Sequence, residues 1–245
     1  MSNDKHADFP QPRFTYYDLR AVLSDATFEK AKNIVKNGKV RIHMVFPGSV
    51  VAKVTSSNTY TTELSWNGPF MSYCTCYAGQ DGKICSHVVA LGLFWLAKFG
   101  LIDSGTLTPP PLKTWEDIEN LTRKAFKYIK PYHGKSRLWF RYTAKLEAAA
   151  LMLQDVADAI KTSPEGARFL WRIVTRLARR LFLGGVDDSD GSLGDAVDYI
   201  IQKIARMAKN DKNIYKLAQE FAKDPKAYDF AESLKVELDK VVGGG

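Results

Sequence analysis

All three cysteines of this 245-residue chain, and one of its four histidines, fall within one short segment. It reads Tyr73-Cys74-Thr75-Cys76, then Tyr77-Ala78-Gly79-Gln80-Asp81-Gly82-Lys83-Ile84, then Cys85-Ser86-His87. The pattern is C-x-C, a loop, then C-x-H. Thiolate sulfur and imidazole nitrogen are donors that zinc(II) takes, and four of them complete a tetrahedron. Such a set leaves no position open for water or substrate, so the ion it holds would be structural. Metal binding would then be coupled to folding, because the unfolded chain does not hold the ligands together. Gly79 and Gly82 allow the loop to turn around an ion. The plainer alternative is three buried cysteines beside a surface histidine.

Other chemistry finds less support. The chain has no phosphate-cradling glycine loop with its lysine, no nucleophile elbow, and no histidine pair with an open metal position. Coordination would quench the cysteines as nucleophiles. His43 falls in an extended segment and reads as an ordinary sheet residue; His133 follows Pro131-Tyr132 and reads as a loop residue rather than a base. Neither an enzyme nor a small-molecule substrate is expected.

The elements that must position the four ligands follow from periodicity. Residues 1–15 read as a polar arm. Asp25 to Lys36 predicts a helix, with Phe28, Ala31 and Val35 at helical spacing and Gly38 closing it. Val40, Ile42, Met44 and Phe46 alternate as the inward side of a first strand, ended by a Pro47-Gly48 turn. Val50 to Thr55 predicts a second strand, followed by a Ser56-Ser57-Asn58 turn. Tyr60 to Trp66 predicts a third, ended by Asn67-Gly68. Phe70 to Tyr73 leads into the first cysteine pair. Behind His87, Val88 to Phe99 is an almost wholly apolar helix stopped by Gly100. The expectation is a small antiparallel meander that delivers its last strand to a zinc knuckle and a helix.

With those elements in place, residues 74–87 resemble the SWIM zinc-finger family, whose motif is C-x-C, a variable gap and C-x-H. Cys74, Cys76, Cys85 and His87 match it without departure. Gly48-Ser49 and the apolar helix after the last ligand are also similar to that family. The resemblance implies one structural zinc ion and an interaction with DNA or with proteins. SWIM fingers occur inside transposases, chromatin ATPases, ubiquitin ligases and recombination accessory proteins, so the finger alone names no partner. The helical half is similar to part of longer bacterial and archaeal SWIM proteins, through a segment like Val186-Asp187-Asp188-Ser189-Asp190-Gly191-Ser192-Leu193-Gly194-Asp195.

Pro109-Pro110-Pro111 stiffens the chain as an extended spacer. The expected organisation is a zinc-finger domain over residues 1–105, a proline-rich spacer over 106–113 and a helical domain over 114–245. The fold class is therefore α+β followed by an all-α region. Thr114 and Asp117 open the second part as a capping box. Leu146, Ala149, Ala150 and Leu153 form one apolar stripe; Ile200, Ile204 and Met207 form another; Leu217 and Phe221 belong to a third. Breaks fall at Gly184-Gly185, Asn210-Asp211 and Asp224-Pro225. The acids at 187, 188 and 190 lack the register of a calcium-binding EF-hand loop, and Ser192 with Asp195 reads as a capping box.

Two surfaces carry charge that could meet a partner. From Pro164 to Phe182, Arg168, Arg172, Arg176 and Arg179 lie in a narrow arc opposite Leu170, Ile173, Leu177 and Leu181, and Arg180 widens the charged side. Such a stripe could engage phosphates or acidic protein through planar hydrogen bonds, or could be a solvated helix face. A second basic and aromatic patch runs from Lys124 through Tyr128, Tyr132, Arg137, Trp139 and Arg141 to Tyr142. Basic side chains among aromatics suit nucleic acid, although aromatics at this density also build cores. In the finger, Lys83, Tyr73 and Tyr77 are the residues placed to touch a ligand.

The net charge of +8 permits nucleic-acid binding. The excess is spread along the chain, with 11 basic and 8 acidic residues over 1–108 and 24 and 19 over the remainder. Cysteines gathered in one cluster point to a reducing compartment rather than a disulfide framework. Residues 1–8 are polar, and the apolar run Val88 to Leu96 is too short for a bilayer. The resulting expectation is a cytoplasmic, non-enzymatic zinc protein that binds nucleic acid, or alternatively an adaptor or regulatory subunit, for example of an ATPase complex.

Overall fold

The computed structural model describes residues 10–66, 71–135 and 139–243, without the side chains of Arg141 and residues 241–243. The expected Asn67-Gly68 turn, Phe70, most of the polar arm, Arg137 and the Arg141 side chain lie outside the described residues. The chain divides into two compact units that meet in sequence at Pro110 and Pro111.

The first unit begins with a helix that periodicity did not reveal. Helix α1 (Tyr16–Arg20) is only a turn and a half long, and it is fixed by a capping box between Thr15 and Asp18. Helix α2 (Asp25–Lys36) has the expected bounds and buries Phe28, Ala31 and Ile34. It closes on Gly38 at φ +64, with Gly38 N–H donating to the Val35 carbonyl and Lys39 N–H to that of Ile34. Strands β1 (Val40–Phe46), β2 (Ser49–Thr55), β3 (Thr59–Ser65) and β4 (Met71–Cys74) then form one antiparallel meander in sequential order. The expected α+β architecture is the one observed.

One detail of β1 departs from expectation. The pairing with β2 runs Ile42 to Ala52 and then Met44 to Val51, so His43 is an extra residue in a β-bulge. Because side chains alternate with period two, that insertion reverses the side on which every later residue lies. Val40 and Ile42 face the core as expected, but beyond the bulge Val45 faces inward, while Met44 and Phe46 face outward.

Helix α3 (Tyr77–Gln80) is a single turn within the ligand loop. Helix α4 (Ser86–Lys98) contacts all four strands on one side and α1 and α2 on the other. Burial on both sides explains its unbroken apolar sequence. Leu91, Leu93, Trp95 and Leu96 are essentially inaccessible, each contributing roughly 1.5–3 kcal/mol of transfer free energy. Gly92 lets α4 approach α1: a Cβ there would lie 2.7 Å from Leu19 Cδ1. Leu107 is also fully buried in this core.

The second unit is helical, with α5 (Trp115–Tyr128), α6 (Trp139–Ala159), α7 (Pro164–Phe182), α8 (Ser192–Asn210), α9 (Lys212–Phe221) and α10 (Asp229–Gly243). Helix α8 is central, packing on α6, α7, α9 and α10. The expected stripes are buried: Leu146, Ala149, Ala150 and Leu153 on α6, and Ile200, Ile204 and Met207 on α8. The Thr114–Asp117 capping box is present, with Asp117 N–H donating to Thr114 Oγ1 at 3.1 Å. The one expected at Ser192 is not. Gly191 is the cap residue of α8, and the Asp188 carboxylate accepts from the Leu193 and Gly194 amides, both at 2.9 Å. A carboxylate reaching back from the preceding turn satisfies those amides better than the Ser192 hydroxyl, which already belongs to the helix.

Candidate metal centre

The four ligands arrive from three places. Strand β4 ends at Cys74, which pairs with Thr62 across the sheet. Cys76 precedes α3 and caps it, its sulfur accepting from the Gly79 amide at 3.4 Å. Cys85 is the cap residue of α4, and His87 lies in that helix's first turn. All four are buried, and one donor atom from each lies within 4.8 Å of every other.

His87 Nδ1 is 3.8 Å from Cys74 Sγ and 3.7 Å from Cys85 Sγ. A tetrahedral zinc with ordinary bond lengths has sulfur–nitrogen edges of about 3.6 Å. The spacing therefore fits a single ion, with Nδ1 as the histidine donor. Three sulfurs and one imidazole nitrogen complete its shell, which makes one structural zinc ion the group these residues fit. Three thiolates outweigh the dication by one negative charge, and that charge falls at the amino-terminal, positive end of α4.

Groups around the ligands fix their direction. His87 Nε2 lies 2.9 Å from Ser56 Oγ, and the Tyr60 ring packs on the imidazole at 4.4 Å between centroids. Holding Nε2 in that hydrogen bond leaves Nδ1 for the metal. Thr62, fully buried, places Oγ1 at 3.4 Å from Cys74 Sγ. Hydrogen bonds from the Cys85 thiol first, and then from His87, Thr62 and the Cys76 backbone, outweigh burial and hold the Cys74 thiol far below its usual range.

The loop is equally constrained. A Cβ on Gly79 would fall 2.3 Å from the Cys74 carbonyl oxygen and 2.6 Å from Cys74 Cβ. Only glycine lets the two halves of the knuckle touch. Gly82, at φ +73, turns the chain back after α3.

Sequence reasoning found the ligands but missed Ser56, Tyr60 and Thr62. Thr62 left one signal, as a polar residue in the inward series Tyr60, Thr62, Leu64. Ser56 left none, since only folding brings it against a residue 31 positions away.

The other candidates fall elsewhere. Lys83 is exposed beside the knuckle, 3.7 Å from Asp81, and Tyr73 and Tyr77 are exposed as well. Arg168, Arg172, Arg176 and Arg179 are all exposed on α7 in the second unit, away in sequence from the knuckle. Arg180 differs from expectation. It turns toward α5, donating to the carbonyls of Phe126, at 2.7 Å, and Ile129. It ties down a helix end rather than widening the free charged face. In the second basic patch, Tyr132, Trp139 and Tyr142 form a mutual ring cluster, and Tyr142 Oη accepts from the Asp187 amide at 3.0 Å. These rings pack Tyr132 against the first turn of α6.

Residues 59–91 match the SWIM zinc finger family. No curated protein and no solved structure matches the chain. The matched span contains β3, β4, the knuckle and the start of α4, which supply all four donors. With the tetrahedral spacing described above, that match makes residues 59–91 of this chain a SWIM zinc finger.

Proposed function

We propose that this protein is a non-enzymatic, zinc-dependent nucleic-acid-binding protein whose phosphate contacts come from the arginine face of α7. One observation carries the reading. Arg168, Arg172, Arg176 and Arg179 are exposed along one side of a well-capped helix, and among the described residues no carboxylate lies within ion-pair distance of them. Two of the four are partly ordered already: the Arg176 guanidinium lies 3.9 Å from the Phe126 ring centre, and that of Arg172 lies 5.5 Å from Phe169. Stacking lowers the entropy lost when a guanidinium binds an anion. Successive arginines four residues apart are separated by about 6 Å along the axis, a row suited to a repeating anionic backbone.

In this reading zinc keeps the first unit folded, and Lys83 adds a weaker contact. The test is fluorescence anisotropy of the zinc-loaded chain with single- and double-stranded DNA and RNA across a salt series. Replacing Arg172 and Arg176 by alanine should weaken binding and reduce the salt slope on duplex DNA by about 1.8. An unchanged slope would remove the stripe from the interface.

A second reading, a protein adaptor, is favoured by an apolar group at the end of α7. Phe182 and Leu183 are 45% and 69% exposed, and Phe182 stacks on Tyr228. The absence of binding to any nucleic acid at low salt, with zinc and helicity intact, would decide for the adaptor. Among the described residues no helix is long and apolar enough to cross a membrane.

A further inference from the structure

Among the described residues, the meander has one side covered by α4 and another that carries exposed side chains around a buried Val51. Val50, Ala52 and Val54 of β2 are fully buried on the side that holds α4. The register fixes what the other side presents. Met44 pairs with Val51, Val51 with Glu63, and Glu63 with Tyr73, forming one row across four strands. Phe46, Ser49, Ser65 and Met71 form the next. Met44, Phe46, Met71 and Tyr73 are 45%, 47%, 61% and 51% exposed. Four large apolar side chains on one sheet face are more than scattered surface residues.

The composition of this face narrows its occupant. Arg41 pairs with Lys53 in the row at the other end of the strands, and both are exposed. Glu63 is the one acid that the β1–β4 pairing places on this side. Cations at one end and rings with flat faces farther along the same side are what an unpaired nucleic-acid strand requires: phosphates need charge, and bases need stacking surfaces. An apolar protein segment would not use Arg41 and Lys53. From β1 to β4 the face measures about 14 Å, enough for a few splayed bases.

We propose that the open face of the sheet binds single-stranded nucleic acid, with bases stacked on Phe46 and Tyr73 and phosphates held by Arg41 and Lys53. The inference rests on the nucleic-acid reading given above, but places a separate, strand-selective surface on the first unit. The bulge at His43 is what creates it, because without the inserted residue Phe46 would lie in the core. Zinc supports it at the other edge, since Tyr73 directly precedes the ligand Cys74.

The test uses the full zinc-loaded chain and a fluorescein-labelled oligothymidylate, with its duplex form as the comparison. The double variant Phe46→Ala/Tyr73→Ala should weaken single-strand binding at least about tenfold and leave duplex binding nearly unchanged. Arg41→Ala/Lys53→Ala should instead lower the single-strand salt slope by about 1.4. Zinc content and circular dichroism check folding. As an independent readout, a bromouracil-substituted oligonucleotide irradiated on the unaltered protein should crosslink to Tyr73 or Phe46. Wild-type single-strand affinity in both variants, with binding lost only on replacing Arg172 and Arg176, would overturn the sheet surface and leave the α7 reading standing. Normal binding without the α7 arginines, lost in the sheet variants, would do the reverse. No binding to any oligonucleotide would overturn both. A concentration-dependent dimer abolished by Phe46→Ala/Tyr73→Ala, with oligothymidylate binding unaffected, would assign the face to a second copy of the chain and also overturn the proposal.

Discussion

The zinc knuckle of the first unit and the arginine face of the second are both made of polar side chains, yet they relate to their folds in opposite ways. At the knuckle four donors converge in a buried space, and each is held by something else: Ser56 and Tyr60 on His87, Thr62 on Cys74, the Gly79 amide on Cys76. Along α7 four cations spread outward over a core of Leu170, Val174 and Leu177 that is complete without them. The knuckle is a fold element that happens to contain ligands; the arginine face is a surface that the fold merely carries. Substitutions should therefore damage stability in the first region and binding in the second.

The sharpest way to break that contrast is to remove a ligand. Cys85→Ala should abolish stoichiometric zinc binding and unfold the first unit, since ion binding there is folding energy. Zinc analysis together with near-ultraviolet circular dichroism would check it, and a fully folded, metal-free variant would refute the structural role of the ion. Gly79→Ala comes next. It leaves all four donors in place but drives a methyl group into the Cys74 backbone, and should cost about 1–3 kcal/mol or more, read as a lowered denaturation midpoint of the zinc-loaded chain.

A subtler change at the same site is Ser56→Ala, which frees the far nitrogen of His87. Zinc affinity should fall roughly 10- to 100-fold in a competition titration with a chromophoric chelator, with the loaded fold preserved. The smallest effect belongs to Arg176 on α7, where two arginines four residues apart should part company. Arg180→Ala leaves two carbonyls at the end of α5 without their cationic donor and should destabilise the chain by about 1–3 kcal/mol. Arg176→Ala, though it removes a ring contact, should change stability by less than about 1 kcal/mol and act on partner binding instead. Equal losses of stability would mean that the arginine face, too, is part of the fold.

The uneven legibility of the chain has the same origin. Helices α2 and α7 could be read with their bounds, because each carries local start and stop chemistry around an apolar stripe: Gly38 after one, Ser163-Pro164 before the other. The capping box at Thr114 could be read for the same reason. At Ser192 it failed because Asp188, four positions earlier, competes for the same amides once the chain folds back. Helix α1 escaped notice because five residues hold too little of a period to detect.

What the sequence determined by itself is what depends on neighbours along the chain. That includes the four ligands, whose donor types and number suit a tetrahedral ion, helices α2 and α7 with their bounds, the Thr114–Asp117 cap, and the strand pairs that turn at Pro47-Gly48 and at Ser56-Ser57-Asn58. Tertiary structure decided what depends on distance across the fold. It chose Ser56 and Thr62 as supports for the metal ligands, turned Arg180 from a surface charge into a helix anchor, and through one inserted residue in β1 set Met44 and Phe46 outward. Side-chain alternation states only that two residues face opposite ways; which of them faces the core is settled by the pairing of strands, and that pairing exists only in the folded protein.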